Sequence, residues 1–262
     1  AFEVSSIEPA PSRIISSDVD AVLDLEITTN RPDCLSVLGI AREVSAIYGT
    51  RVHFPSHVPT SDSSETRGAK TTSPLSVKIE DSQLCPRYVA SAINVTVGPS
   101  PSWLAARLEA SGIRPVNNVV DATNYVMLEL GHPTHAFDLN HLEGKELNIR
   151  RAHLGETILT LDGKERDLSP DMLVIADATQ PQALAGIMGG AESEVSGSTR
   201  TVVLESAYFL PISIRRTSKR TGLSTDASYR FERGADIEAP LIAMKRLRSL
   251  LSEIAEGQPR GP

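Results

Sequence analysis

The residues best suited to chemistry lie in one short stretch, residues 121–138, which reads DATNYVMLELGHPTHAFD. Thr123 and Asn124 form a small polar pair there, and two histidines, His132 and His135, follow them. Hydroxyl, amide and imidazole groups can together hold a polar ligand, and a histidine can also remove a proton near neutral pH. The same pattern fits the end of a helix followed by surface histidines, so both interpretations stay open.

A second group of candidates lies further along the chain. Glu205 stands within an apolar run, where it is either an outward-facing strand residue or an acceptor placed in a pocket. The glycine-rich run AGIMGG at 185–190 permits either a tight turn or close backbone approach to a ligand. Thr225 and Ala227 can border a small pocket, while Asp226 between them can equally cap a turn.

Several kinds of chemistry find no support in the sequence. Cys34 and Cys85 are far apart, stand in no metal-ligand spacing and have no neighbouring histidine, which argues against structural zinc and against a thiol hydrolase. No serine lies in a GxSxG motif. The run at 185–190 lacks the Lys-Ser/Thr ending of a phosphate-binding loop. Neither a metal site nor an ATP site is predicted for this chain.

A helix is predicted to carry Thr123 and Asn124, which lie off its apolar face, and Gly131 is expected to end it. His135 then falls in a polar loop. The apolar face of this helix is predicted to contain Val116, Val119, Val120 and Met127.

The other elements follow from apolar spacing and turn residues. Asp33 is expected to cap the first helix, Leu241 belongs to the apolar stripe of the last, and Asp162-Gly163 predicts a hairpin. This order predicts an α+β fold of mixed or antiparallel sheets layered with helices, preceded by a small α+β scaffold element. Strands are predicted at 21–29, 75–80, 88–97, 146–152, 157–161, 165–168, 172–178, 183–188 and 201–208, and further helices at 100–112, 211–220 and 238–255.

Composition places the chain among ordinary globular proteins. It has 262 residues, 40% hydrophobic and 23% charged, with a formal net charge of −7. No apolar run approaches the roughly 20 residues of a membrane helix, and two cysteines suit a reducing cytosol. Residues 211–250 carry nine lysines and arginines against four acids, which predicts either a basic patch for a nucleic acid or a solvated helix face.

Five segments of the chain resemble, in the same order, segments of the beta chain of bacterial phenylalanyl-tRNA synthetase. They are NRPDCLSVLGIAREVSAIYG at 30–49, VVDATNYVMLELGHPTHAFD at 119–138, AGIMGG at 185–190, LESAYF at 204–209 and RTGLSTDASYRFERG at 220–234. The resemblance runs over nearly the whole chain from about Val19 and covers the family's editing region.

This resemblance implies roles for particular residues. Glu205 is implied to sense the hydroxyl of a tyrosine. Arg114, Thr123, Asn124 and His135 match positions that line the site around the amino acid and the terminal adenosine. His135, Asn124 and Thr123 are the catalytic candidates; our hypothesis is that His135 holds the water that hydrolyses an aminoacyl ester, with proton transfer either by His135 or by a hydroxyl or amine of the substrate. The matched positions in the pocket walls are Ala185, Gly186, Gly189, Thr225 and Ala227.

The implied activity is post-transfer editing, the hydrolysis of mischarged tyrosyl-tRNA(Phe) through a positioned water. No cofactor is expected for editing, and ATP and Mg²⁺ are expected only for the full synthetase. The implied partners are the acceptor end of tRNA(Phe) and the synthetase alpha chain, in an assembly of two alpha and two beta chains in the cytoplasm. The alternatives are a non-catalytic module that positions tRNA, or an unrelated ester or peptide hydrolase, against which the missing triad and metal patterns argue.

The expected domain organisation follows from composition and resemblance together. Residues 1–57 are predicted to be part of an N-terminal scaffold domain, 58–74 a polar linker, and 75–262 the editing domain. Because the chain does not begin with methionine, it is expected to be a fragment.

Overall fold

The computed structural model of the protein describes residues 2–9, 21–54 and 75–259, so the predicted linker at 58–74 lies outside the described residues. The strands are β1 Phe2–Pro9, β2 Ala21–Ile27, β3 Ser76–Ile79, β4 Arg87–Asn94, β5 Thr134–Asp138, β6 Glu146–Arg151, β7 Thr157–Leu159, β8 Glu165–Asp167, β9 Leu173–Ala176, β10 Pro181–Leu184, β11 Met188–Gly189, β12 Thr201–Tyr208 and β13 Gln258–Pro259. The α-helices are α1 Val37–Tyr48, α2 Ser102–Ala110, α3 Asn118–Leu130, α4 Pro211–Thr221, α5 Asp226–Phe231 and α6 Ala239–Ile254.

Two sheets form the centre of the fold. The first is antiparallel, with strand order β13-β4-β12-β5, and the second is mixed, with order β11-β10-β9-β6-β3. Helices α3 and α6 pack against each other and cover one face of the first sheet. The other face of that sheet packs on the second sheet through a shared apolar core. The predicted α+β class is confirmed.

Strand β12 lies between β4 and β5 and is buried on both faces. Val202 and Leu204 belong to the core under the helices, whereas Val203 and Ala207 belong to the core between the sheets. Burial on both faces explains why this strand is an almost continuous apolar run. Glu205 lies on the same face as Val203 and Ala207, so the interpretation of it as an outward-facing residue is wrong.

Helix α3 begins later than its apolar spacing predicts. Asn117 is its N-cap and accepts hydrogen bonds from two backbone amides, so Val116 precedes the helix and is exposed. Thr123, expected off the apolar face, is buried. Gly131 ends the helix in a left-handed conformation with φ 78°, as its position predicts.

Three further elements differ from their predictions. The stretch after Gly131, predicted to be a polar loop, forms strand β5 because it pairs with β12. The run 183–188 divides into β10 and β11 around a turn at Gly186, where φ is 68°. The turn expected at Asp226 is the start of helix α5, which Thr225 caps.

Smaller differences concern helix ends and exposure. Ser36, not Asp33, caps α1, because Asp33 belongs to a preceding 3-10 helix. Leu241 is 44% exposed on α6 and lies outside its buried stripe. The Asp162-Gly163 hairpin and the span of β12 agree with their predictions.

The N-terminal part of the described chain touches the elements that surround the site. Strands β1 and β2 pair antiparallel, and α1 packs against α3. Arg230 on α5 donates a hydrogen bond to the backbone carbonyl of Leu35. The segment just before α1 is thereby bonded to α5, a helix that borders the candidate site.

Candidate functional site

A cavity of about 400 Å³ opens where the edge strand β5 of the first sheet faces the edge strand β11 of the second. Helix α3 and the start of α5 complete its walls, which are mostly apolar. Among the ten residues implied by resemblance, the structure brings eight to this cavity: Thr123, Asn124, His135, Gly186, Gly189, Glu205, Thr225 and Ala227.

Glu205 is the acidic group in the interior of this cavity. It is 6% exposed, and its Oε2 accepts a hydrogen bond of 2.8 Å from the Tyr88 hydroxyl. Burial raises the pKa of Glu205 to about 7, although the bond from Tyr88 acts in the opposite direction. A carboxyl group with this pKa is partly ionised at neutral pH and can accept a hydrogen bond from a ligand.

His135 lies directly opposite Glu205 on the neighbouring strand β5. Its ring meets Phe137 edge-on, with 4.5 Å between the ring centroids. Burial lowers the pKa of His135 to about 4, so the imidazole is neutral near pH 7 and is a weaker base than its residue type suggests. No described residue hydrogen-bonds to its ring nitrogens, which leaves them available to a water or a ligand.

Gly189 permits the close approach of strand β11 to His135. A Cβ atom built at Gly189 would lie 2.6 Å from Cε1 and 2.7 Å from Nε2 of His135, well inside van der Waals contact. The backbone φ of Gly189 is not in the left-handed region, so the requirement for glycine here comes from space alone.

Thr123 and Asn124 face the cavity from helix α3. The Thr123 hydroxyl donates to the backbone carbonyl of Val120 at 2.6 Å, so towards the cavity it offers an acceptor. No described side chain hydrogen-bonds to the Asn124 amide, which can therefore both donate to and accept from a ligand.

Thr225 and Gly186 hold the opposite wall in place. The Thr225 hydroxyl donates to the carbonyl of Ile187 at 2.8 Å and accepts from the amide of Ser228, so it joins the glycine-rich turn to helix α5. A Cβ at Gly186 would meet Phe209 at 2.8 Å, and its φ of 68° disfavours other residues. Both residues therefore fix the position of the cavity wall through their contacts with neighbouring residues.

Two implied residues stand apart from the lining. Ala185 is buried beside the glycine turn, and Arg114 is exposed in the segment between α2 and α3. Arg114 is two residues before Val116, which does line the cavity. Arg114 is therefore exposed next to the cavity and does not form part of its wall.

Sequence patterns missed two residues of the site. Thr134 lines the cavity, and its buried hydroxyl has no hydrogen-bond partner in the described structure. Tyr88 contacts Glu205 from strand β4. The strand that carries Tyr88 can be predicted from the sequence, but its register against β12 has no local signal.

The predicted basic patch is smaller than the count of charges suggests. Arg246 is buried and forms an ion pair of 2.6 Å with Glu129, and Arg230 is buried beside Asp226. These two side chains are paired inside the fold and are removed from any surface that would meet a nucleic acid.

One group of possible metal ligands occurs elsewhere among the described residues, formed by Asp33, Cys34 and Glu43. The Arg31 guanidinium forms ion pairs of 2.7 Å with Asp33 and 2.6 Å with Glu43. Because a cation already neutralises both carboxylates, this group needs no metal to balance its charge.

Replacing Glu205 with glutamine is expected to stabilise the protein at alkaline pH. The folded pKa of about 7 exceeds the ordinary glutamate value of 4.5, so the folded state holds this proton more tightly and loses stability as pH rises from 4.5 to 7. The variant lacks this loss, so its advantage in unfolding free energy should grow by roughly 3 kcal/mol between pH 4 and pH 8.

Denaturant unfolding of both proteins at the two pH values measures this difference. The neutral histidines His132 and His135 act oppositely, since their pKa of about 4 removes stability as pH falls from 6.5 to 4. They are present in both proteins and cancel in the comparison. A difference that does not change with pH would contradict the raised pKa of Glu205.

The chain is similar to a known domain family and to curated proteins. The model of the B3/4 domain family matches residues 84–256. The phenylalanine–tRNA ligase beta subunit of Moorella thermoacetica is 52% identical over 240 residues, covering 91% of this chain and 29% of that protein. The same subunit from Anaeromyxobacter dehalogenans is 50% identical over 242 residues, covering 92% of this chain and 30% of that protein.

A solved structure is also similar. The N-terminal fragment of the phenylalanyl-tRNA synthetase beta subunit from Pyrococcus horikoshii has 14% sequence identity and a TM-score of 0.40, covering 84% of this chain and 65% of that chain. The chain spans less than a third of the length of the curated relatives it matches. Among the described residues, no helix is both long and apolar enough to cross a membrane.

Proposed function

The chain belongs to the B3/4 domain family, and on that premise we propose that it forms the editing site of a phenylalanine–tRNA ligase beta subunit, where it hydrolyses tyrosyl-tRNA(Phe). Its relatives carry the name of that subunit. The proposed partners are the acceptor end of tRNA(Phe) and the alpha chain of the synthetase, and the proposed location is the cytoplasm.

The observation that carries this proposal is Glu205, a buried acid in a cavity with mostly apolar walls. A synthetic pocket made for phenylalanine rejects tyrosine only weakly, because adding a hydroxyl to an isostere costs little in an apolar site. A second site can select for that hydroxyl by offering a buried partner. Phenylalanine would leave the carboxylate without a ligand partner, whereas tyrosine would donate to it.

The cavity has the dimensions of a small-molecule site. Its volume of about 400 Å³ falls in the range of roughly 300–1,000 Å³ typical of such sites. In the proposed pose the hydroxyl of a tyrosine reaches Glu205, and Thr123, Asn124 and His135 line the same cavity. Arg114, exposed outside the cavity, would meet the terminal nucleotide.

The chemistry proposed for this site is attack of a water on the ester. The water oxygen bonds to the carbonyl carbon, the bond from that carbon to the ribose oxygen breaks, and the proton of the water finally resides on the ribose oxygen. The neutral His135 holds the water through a ring nitrogen. Because its pKa is about 4, His135 is better suited to orienting the water than to storing its proton, so a hydroxyl or amine of the substrate is proposed to relay it.

Orientation can supply much of the rate enhancement here, since an aminoacyl ester is already activated. The Asn124 amide is proposed to donate to the developing oxyanion. The proposed mechanism uses no cofactor, and ATP and Mg²⁺ belong to the aminoacylation reaction of the full synthetase.

Deacylation of tyrosyl-tRNA(Phe), with phenylalanyl-tRNA(Phe) as the control ester, tests the proposal. We expect selective hydrolysis of the tyrosyl ester by this chain, or by the assembled two-chain enzyme if tRNA must be anchored elsewhere. Hydrolysis of neither ester in either setting would contradict the proposal and favour a non-catalytic module that positions tRNA.

A further inference from the structure

The hydrogen bond from Tyr88 to Glu205 has a precise origin in the first sheet. In the antiparallel pairing of β4 with β12, Tyr88 lies opposite Ala207 and Ala90 lies opposite Glu205. Tyr88 and Glu205 are thus diagonal neighbours on one face, a distance that long side chains can bridge. The bond of 2.8 Å between the Tyr88 hydroxyl and Oε2 of Glu205 follows from this register.

Tyr88 does not line the cavity, whereas Glu205 does. The phenol ring packs against the core between the sheets. The Glu205 carboxyl group makes no other hydrogen bond with the described residues. Oε2 is therefore bonded to a residue outside the cavity, and Oε1 remains free to bond with a group inside the cavity.

We propose that Tyr88 is a positioning residue, which holds Oε2 of Glu205 so that Oε1 can accept the hydroxyl of the substrate. This inference rests on the proposed function. Tyr88 itself would never touch the substrate. Its effect would pass entirely through the orientation and the ionisation of Glu205.

The ionisation of both groups supports this arrangement. Burial and the neighbouring carboxylate raise the pKa of Tyr88 well above its usual value, so the phenol remains a donor at every working pH. The bond it donates favours the ionised carboxylate and partly offsets the effect of burial on Glu205. Besides Tyr88, the titratable side chains that face Glu205 among the described residues are Cys85, ahead of β4, and His135 on β5. Burial raises the pKa of Cys85 to about 12 and lowers that of His135 to about 4, so both are uncharged near pH 7.

Tyr88→Phe is the direct test because it removes the hydroxyl and keeps the ring. We expect the ratio of kcat/KM for the tyrosyl ester to that for the phenylalanyl ester to fall by about 10-fold, the usual scale for one hydrogen bond to a charged group. Hydrolysis of the phenylalanyl ester should not decrease. Selectivity should depend on pH through the ionisation of Glu205. The midpoint of that dependence should move to higher pH in the variant, because Glu205 loses a donor that stabilises its anion.

A titration of the Glu205 carboxyl carbon by NMR, in the wild-type chain and in Tyr88→Phe, measures the same effect without any substrate. We expect a higher pKa in the variant. Tyr125→Phe is the matched control, since it also removes one phenol that takes part in a hydrogen bond, here with Arg107 at 2.9 Å. That variant should leave the pKa of Glu205 unchanged.

The two assays separate the inference from the proposed function. A wild-type protein without selective hydrolysis would contradict the proposed function, while the NMR titration would still measure the effect of Tyr88 on Glu205. Selectivity and carboxyl pKa both unchanged in Tyr88→Phe would overturn the inference. An equal loss of activity on both esters would also overturn it, because that result describes general damage to the site.

Discussion

Replacing Glu205 with alanine is expected to reduce the preference for the tyrosyl over the phenylalanyl ester by about 10- to 100-fold, the scale of a lost hydrogen bond to a charged group. The variant removes the acceptor in the interior of the cavity and leaves apolar walls around the substrate ring. Hydrolysis of the tyrosyl ester should slow, and hydrolysis of the phenylalanyl ester should rise, because no buried carboxylate oxygen then remains without a donor. The ratio of kcat/KM for the two esters measures the effect.

Glu194 offers a matched control for this experiment. It is also an acid that lines the cavity, but it is exposed at the rim. Glu194→Ala should therefore preserve the preference for tyrosine within about 2-fold, since exposed charges contribute little to discrimination. Equal effects of the two variants, or an unchanged preference in Glu205→Ala, would contradict the role of Glu205 as the sensor.

Gly189→Ala is expected to lower the hydrolysis of both esters by about 100-fold, the scale of a displacement of roughly 1 Å in a reacting group. The added methyl group would lie 2.6 Å from the His135 ring, so the ring must move or turn. The backbone at Gly189 tolerates alanine, and the cost in unfolding free energy should stay near the roughly 1–3 kcal/mol of ordinary overpacking. Rates of hydrolysis and denaturant unfolding measure the two effects separately.

Two further variants make this prediction specific. Gly197→Ala adds the same methyl group where nothing lies within 4 Å, and it should retain full activity. If Gly189→Ala acts through His135, then its combination with His135→Ala should be no slower than His135→Ala alone. Additive losses in the double variant would show that Gly189 acts by another route, and full activity of His135→Ala would remove His135 from the chemistry.

The elements that the sequence predicts well are those specified by local signals. The span of β12 follows from one apolar run between polar ends, and the end of α3 follows from Gly131. The polar loop assigned around His135 was wrong for a physical reason. Strand β5 is stabilised by its pairing with β12, which lies more than 60 residues away in the chain, and a local pattern contains no information on that pairing.

The candidate site divides in the same way. Family resemblance points to Glu205 and His135 as separate positions, while the sheet register makes them direct cross-strand neighbours. Tyr88 cannot be identified from the sequence, because its hydrogen bond with Glu205 depends on the register between β4 and β12. The burial of Arg246 could not be predicted from local sequence either, because its ion-pair partner Glu129 lies on another helix.

The position of the two central side chains within the first sheet has a consequence for amide hydrogen exchange. Glu205 lies on β12, whose backbone pairs on both sides, whereas His135 lies on the edge strand β5. Amides in a central strand exchange mainly through global opening, and those at an edge exchange through smaller local openings. We therefore expect the amides around Glu205, the proposed recognition group, to exchange more slowly than those around His135, the group proposed to orient the water.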